Sequence, residues 1–322
     1  MRVPAPFDLD LVVRSHGWYD LAPWSWDAGR RILARPLVLS GGEVVRAELA
    51  ERAEPGGGLA LRLAAEGRLG PPQAEEARRQ LRHALSLDED LGPFWRLVEE
   101  LMPRREALGL PDLRWAVARG AGRMLRSPTV FEDLVKMLCT TNCSWSLTRA
   151  MISRLVERAG APGPLGGHAF PTPQALAERP VRFFRETVRA GYRAPWLRQI
   201  ARDVAAGRID VEAWRDPALP EEELYRRILE LPGFGPYAAE GLLRLLSRHR
   251  HLALDSWVRP KLQELRGLPR QPSDRAIARW FAPFGAWAGL ALWLEVTADW
   301  FGERPTWPAR GGGTGRRLPA KP

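Results

Sequence analysis

The stretch Glu222–Arg259 constrains this chain most, because it alternates helix-forming and helix-breaking chemistry at short intervals. Leu224, Ile228, Leu229 and Leu231 recur at helical spacing and predict an amphipathic helix. Gly233-Phe234-Gly235 ends it, since two glycines in three positions supply the backbone freedom of a tight turn. Pro236 restarts a helix where its missing N–H is not needed. Leu242, Leu243, Leu245 and Leu246 carry that helix to a basic cluster of Arg244, Arg248, His249, Arg250 and His251, and Asp255 follows a short apolar run. A helix opened by a glycine hairpin presents free N–H groups and a positive dipole end, which together attract phosphate. The dinucleotide fingerprint requires a strand before its glycines, and here a helix precedes them. A plain helix–helix turn is the other reading of the tripeptide; Asp255 and the basic flank favour phosphate binding.

A net charge of +10 fits an anionic partner, with nucleic acid first, although an arginine-rich composition without function gives the same sign. With 45% hydrophobic and 27% charged residues the chain reads as an ordinary globular protein, and 322 residues allow two domains. Cys139 and Cys143 are its two cysteines, so a four-thiolate iron–sulfur cluster is excluded and a disulfide framework is not expected. No P-loop or zinc motif is present and the histidines are unclustered, which argues against a metal hydrolase. No secretory h-region follows Met1 and no apolar run reads as long enough to span a membrane. The expectation is a cytoplasmic, nucleoid-associated monomer with no membrane contact.

Along the chain the pattern is α+β. From about Val3 to Glu66 it reads as strands, beginning with FDLDLVVRSHGWYD, with Gly41-Gly42 as a hairpin turn. Gln73–Ala84 and Gly92–Leu101 read as helices. Beyond Pro111 strand signals nearly vanish, and SPTVFEDLVKMLCTTNCSWSLTRAMISRLVERAG reads as one long helical stretch with Phe131, Leu134, Val135 and Leu138 on one face. The expected organisation is an antiparallel β domain with connecting helices over 1–110, a helical domain over 111–305, and a disordered basic tail over 306–322.

LPGFGPYAAEGLL followed by LALDSWVR resembles the helix-hairpin-helix DNA glycosylases, in the branch of the 3-methyladenine DNA glycosylases II and the 8-oxoguanine glycosylases. The likeness rests on the glycine hairpin, on Asp255, and on the eighteen residues separating Asp255 from Tyr237. It implies an antiparallel β domain before a mostly helical catalytic domain, duplex DNA carrying a damaged base as partner, and Asp255 as the catalytic carboxylate. N–H groups near Gly233 and Gly235 would contact phosphate. Backbone carbonyls of Leu229, Leu231 and Phe234 would hold a monovalent cation, Na+ or K+, and no other cofactor is implied. Tyr237 stands where bifunctional relatives carry a Schiff-base lysine. A phenol forms no imine, so the implied enzyme is a monofunctional base excision repair glycosylase using water, without lyase activity. Gly191-Tyr192-Arg193 and Asn142 resemble segments of the 8-oxoguanine branch, in which the tyrosine wedges into the stack and the arginine and asparagine address the orphaned base. That branch's second arginine is replaced here by Leu147, and its cysteine by Gly241.

Each residue also has a structural reading. Asp255 suits a helix N-cap, which is compatible with catalysis. Tyr237 either packs its helix or walls a lesion pocket. Tyr192 and Asn142 also suit helix-end packing or capping. Of the fourteen tryptophans, Trp18, Trp24, Trp26, Trp145 and Trp257 are cleft candidates and Trp257 leads them. An electron-rich pocket suits a cationic alkylated purine, which ranks first, with oxidised purine second. The rival functions are a noncatalytic DNA-binding protein and a lyase working through another amine, such as Lys261 or the N-terminus.

Overall fold

Four strands form an antiparallel meander in a computed structural model that describes residues 1–51, 58–108 and 110–303. They are β1 (Ser25–Asp27), β2 (Ile32–Val38), β3 (Val44–Glu51) and β4 (Leu59–Ala64), paired in the order β1-β2-β3-β4. Gly41-Gly42 lies in the β2–β3 turn as the sequence predicts, setting Val38 opposite Val44 and Leu33 opposite Leu49. Burial alternates along β3, with Val45, Ala47 and Leu49 facing the core, the period-2 signature of a sheet covered on one face. The tail over 306–322 and most of the turn at 54–58 fall outside the described residues.

The helices are α1 (Leu9–Val13), α2 (Pro71–Ala84), α3 (Gly92–Ala107), α4 (Arg114–Arg119), α5 (Val130–Thr140), α6 (Trp145–Ala159), α7 (Pro173–Ala177) and α8 (Ala194–Ala205). They continue as α9 (Glu221–Leu229), α10 (Pro236–Leu245), α11 (Val258–Leu265), α12 (Asp274–Phe281) and α13 (Ala288–Thr297). One continuous apolar cluster runs from the inner face of the sheet through α5, α8, α10 and α13.

Three expectations need correction. The segment around residues 7–20 is not a strand: Leu11, Val12 and Val13 are buried in succession, which an alternating half-exposed strand does not permit. Instead the Asp8 carboxylate accepts the Asp10 N–H at 3.0 Å and starts α1, and a 3-10 turn over Gly17–Asp20 follows. The long helical stretch is two helices. It breaks at Asn142, whose φ of 44° is left-handed, and Ser144 then caps α6 by accepting the Leu147 N–H at 3.3 Å. Finally, Asp274–Phe301 is apolar enough to pass for a membrane span by length and composition, yet 67% of its best window is buried in this fold and Gly285 (φ 54°, ψ −120°) breaks it.

Helix α5 carries more than an apolar face. Every residue from Val130 to Cys139 is buried, including Glu132, Asp133 and Lys136. Arg35 on β2 donates to both Glu132 oxygens at 3.0 and 2.7 Å, lies over the Trp24 ring at 4.6 Å, and shares Glu132 with Lys136 Nζ at 2.7 Å. This charge cluster ties the sheet to the helix whose end displays Asn142.

Candidate active site

The hairpin between α9 and α10 requires glycine at one position and leaves room at the other. Gly233 has φ 86°, and a Cβ there would strike the Trp196 ring and approach Leu138 Cδ1 to 2.8 Å. Gly235 is exposed, with φ −101°, and a Cβ there would meet nothing. Nothing among the described residues therefore requires glycine at that position. No side chain caps α10, so its first-turn N–H groups remain available to an external acceptor. Gly233→Ala is expected to cost about 1–3 kcal/mol of stability through overpacking. Gly235→Ala should melt like wild type, and thermal melts of the two variants distinguish the positions.

The hairpin is wired to the segments that the sequence singles out elsewhere. Trp196, packed on Gly233, holds Tyr192 edge-to-face with centroids 5.3 Å apart, and Tyr192 is 50% exposed. Arg193 is buried instead of facing outward: its Nε donates to Thr141 Oγ1 at 3.2 Å, its Nη2 to the Thr141 carbonyl, and its guanidinium lies 4.4 Å from the Tyr192 ring. In this arrangement it braces the loop that presents exposed Asn142. Gly233, Gly235, Tyr192 and Asn142 thus belong to one connected surface, with Arg193 beneath it.

Beside that surface a cavity of about 160 Å³ opens between the Gly17–Asp20 turn, the end of α5, α10, and the loop before α11. Asp255, Tyr237 and Trp257 all line it, with Trp18, Trp145, Trp293 and Trp300 completing the aromatic wall. Trp257 lies 6.0 Å from Trp293 and 5.6 Å from Trp300, centroid to centroid. Trp24 and Trp26 do not line it; Trp24 is core, stacked on Arg35, and Trp26 belongs to the sheet. Asp255 Oδ1 accepts the N–H groups of Trp257 at 2.9 Å and Val258 at 2.7 Å, at the start of α11, and the residue also borders the cavity. Among the described residues Oδ2 has no hydrogen-bond partner, and it is not sealed from solvent. Burial, then the nearby Asp255 charge, push the Tyr237 phenol up to about 12, so it is neutral at physiological pH.

The basic flank is mostly internal. Arg248 donates to the Asp216 and Leu219 carbonyls, His249 pairs with Glu89 at 2.6 Å, and His251 stacks on Tyr225 at 4.6 Å between Glu221 and Glu240. Arg244 is buried and joins the cavity wall, leaving Arg250 exposed. Among the cavity residues that escaped the sequence reading in this role are His16 and Arg244, because nothing local signals that they converge. The chain contains three lysines. Lys136 is fully buried beside Glu132, Lys261 pairs with Asp299 at 2.8 Å, and Lys321 lies outside the described residues. The N-terminal amine is anchored on the Leu59 carbonyl of β4. Among the described residues no group of three His, Cys, Asp or Glu side chains is placed to hold a metal.

No protein-family model matches the chain, and no curated protein sequence does. Solved structures do. A 3-methyladenine DNA glycosylase from Archaeoglobus fulgidus superposes with a TM-score of 0.70 at 21% identity, covering 94% of this chain and 98% of its own. An 8-oxoguanine glycosylase/lyase from Clostridium acetobutylicum gives 0.63 at 19% identity, covering 90% and 92%. The same Clostridium acetobutylicum protein, bound to double-stranded DNA with cytosine opposite 8-oxoG, also gives 0.63 at 19%, covering 91% and 92%. With its N-terminal meander, its glycine hairpin between α9 and α10, and these near full-length superpositions, the chain has the fold of the helix-hairpin-helix DNA glycosylases.

Proposed function

We propose that this protein is a monofunctional DNA glycosylase of base excision repair, hydrolysing the N-glycosidic bond of a damaged base flipped out of duplex DNA. The observation that carries this reading is Asp255: a carboxylate fixed through Oδ1 by two backbone N–H groups, with Oδ2 free, in the wall of an aromatic cavity. Cleaving the bond leaves positive charge on the sugar. A carboxylate already held in place stabilises that charge without reorganising and orients the attacking water. The cavity suits a flat heterocycle, since an engineered apolar cavity of about 150 Å³ accepts benzene. The aromatic wall fits a damaged purine, alkylated or oxidised. Extruding that base costs a few kcal/mol of stacking, which exposed Tyr192 offsets as a wedge beside Asn142. The N–H groups at Gly235 and the start of α10 take the phosphate. Carbonyls of Leu229, Leu231 and Phe234, near the negative end of α9, suit a monovalent cation bridging to that phosphate.

The amines among the described residues support hydrolysis without lyase chemistry. Tyr237 forms no imine, Lys136 is buried in a charge cluster, and Lys261 and the N-terminus are engaged away from the cavity lining. Borohydride reduction during the reaction is expected to trap no covalent protein–DNA adduct, and nicking is expected to need added alkali. A trapped adduct would instead establish an amine nucleophile.

A further inference from the structure

Two polar side chains in the cavity wall have no task in the hydrolysis just described. His16 Nε2 lies 2.5 Å from the Leu125 carbonyl oxygen. A carbonyl only accepts, so Nε2 carries the hydrogen. Burial, reinforced by the charges of Arg244 and Lys136, pushes the imidazole down to about 4, so at neutral pH the ring is uncharged and Nδ1 is a bare lone pair. Among the described residues Nδ1 has no hydrogen-bond partner, and unlike His249 Nδ1 it is not sealed from solvent. His16 therefore offers the cavity an acceptor.

Arg244 offers the opposite. Its Nη2 donates to the Leu252 carbonyl at 3.0 Å and its guanidinium lies 4.8 Å from the Trp293 ring. Among the described residues Nε is sealed without a partner, whereas Nη1, which also has none, is open. Burial pulls the guanidinium down to about 10, which leaves it charged at neutral pH, and Tyr237 and Asp255 lie close enough to act on it. A buried cation with a spare donor beside the reaction centre is costly unless a ligand acceptor completes it.

We infer that Arg244 is a further catalytic residue and His16 a specificity residue, together taking a neutral base that carries a carbonyl oxygen next to a ring N–H: Arg244 Nη1 donates to the oxygen and His16 Nδ1 accepts the N–H. This rests on the hydrolytic reading above. The bond between sugar C1′ and the base nitrogen breaks with its electron pair leaving on the base, where conjugation spreads the charge onto the oxygen held by Arg244. Water forms the new bond to C1′, its proton passes to Asp255, and the base anion takes a proton from solvent. A base alkylated to a cation departs neutral, giving Arg244 no charge to stabilise and meeting its repulsion on entry. The cavity thus reverses the order set by the aromatic residues alone, placing the neutral, carbonyl-bearing class first.

The test compares single-turnover release from matched duplexes, one holding a neutral base with this carbonyl and N–H edge, the other an N-alkylated cationic base. Arg244→Met, which keeps an apolar stem for Trp293, is expected to lower the neutral-to-cationic rate ratio by about 10²–10³. Arg244→Lys should recover part of that loss and stands in if the methionine variant fails to fold. His16→Leu should raise the protein concentration for half-maximal release of the neutral base about tenfold, the worth of one hydrogen bond. An unchanged rate ratio in both Arg244 variants would reduce Arg244 to packing on Trp293, and wild type that releases the cationic base alone would overturn the inference while leaving hydrolysis standing. Release of neither base by wild type would sink the hydrolytic reading itself.

Discussion

Asp255→Asn is expected to slow base release by about 10²–10³ while leaving affinity for lesion-bearing duplex near wild type. Asparagine keeps an oxygen for the Trp257 and Val258 N–H groups, so the start of α11 is preserved. What it removes is the negative charge that, in the proposed hydrolysis, faces the developing sugar cation. Asp255→Ala removes both: the lost cap costs about 1 kcal/mol, so alanine should be less stable than asparagine and equally inactive. Single-turnover kinetics with a thermal melt of each variant separate the roles. Wild-type rates in Asp255→Asn would reduce Asp255 to its capping function.

The second large effect lies far from the chemistry. Glu132→Ala leaves Arg35 and Lys136 in the interior without their shared counter-charge, and breaking a buried pair in this way costs about 3–5 kcal/mol. For a chain of this length that corresponds to roughly 5–8 °C in Tm. Replacing all three by apolar residues of similar volume should recover much of the loss, because no charge then remains buried. Burial pushes the Glu132 carboxyl up, but the Arg35 and Lys136 charges outweigh it and hold the pKa below the usual carboxylate range. Its stabilisation is therefore present above the unfolded carboxylate pKa and is lost as pH falls through the folded value. Melting curves between pH 7 and 3 should show wild type losing stability that Glu132→Ala has already lost; parallel curves would exclude the cluster as the source.

How legible these features were depends on how far apart in sequence their causes lie. The hairpin could be read directly, because Gly233, Gly235 and Pro236 act on their own backbone. Asp255 could be read from its interval to Tyr237, and the structure adds that capping and access to the cavity coexist. The segment around Leu9–Val13 misled because five residues, four of them buried, are too few to fix a period, and the choice fell to Asp8 and the core behind. Glu132 and Lys136 stand outside the apolar face formed by Phe131, Leu134, Val135 and Leu138; Arg35, 97 positions from Glu132, gives their burial a counter-charge. The same holds for His249, which reads as a surface charge until Glu89, 160 positions away, is brought beside it. His16 and Arg244 were illegible as a pair for the same reason: one precedes a 3-10 turn near the N-terminus and the other ends α10, and the fold alone gives them a common cavity.

The most direct test of the central claim is free-base release. Wild-type protein in excess is incubated with a panel of duplexes, each bearing one defined lesion, and the small-molecule fraction is analysed by mass spectrometry. The strands are scored in parallel before and after alkali. The account predicts a free damaged base from at least one duplex, led by a neutral carbonyl-bearing one, with intact strands that break only after alkali. Tight binding across the whole panel with no free base released would contradict it.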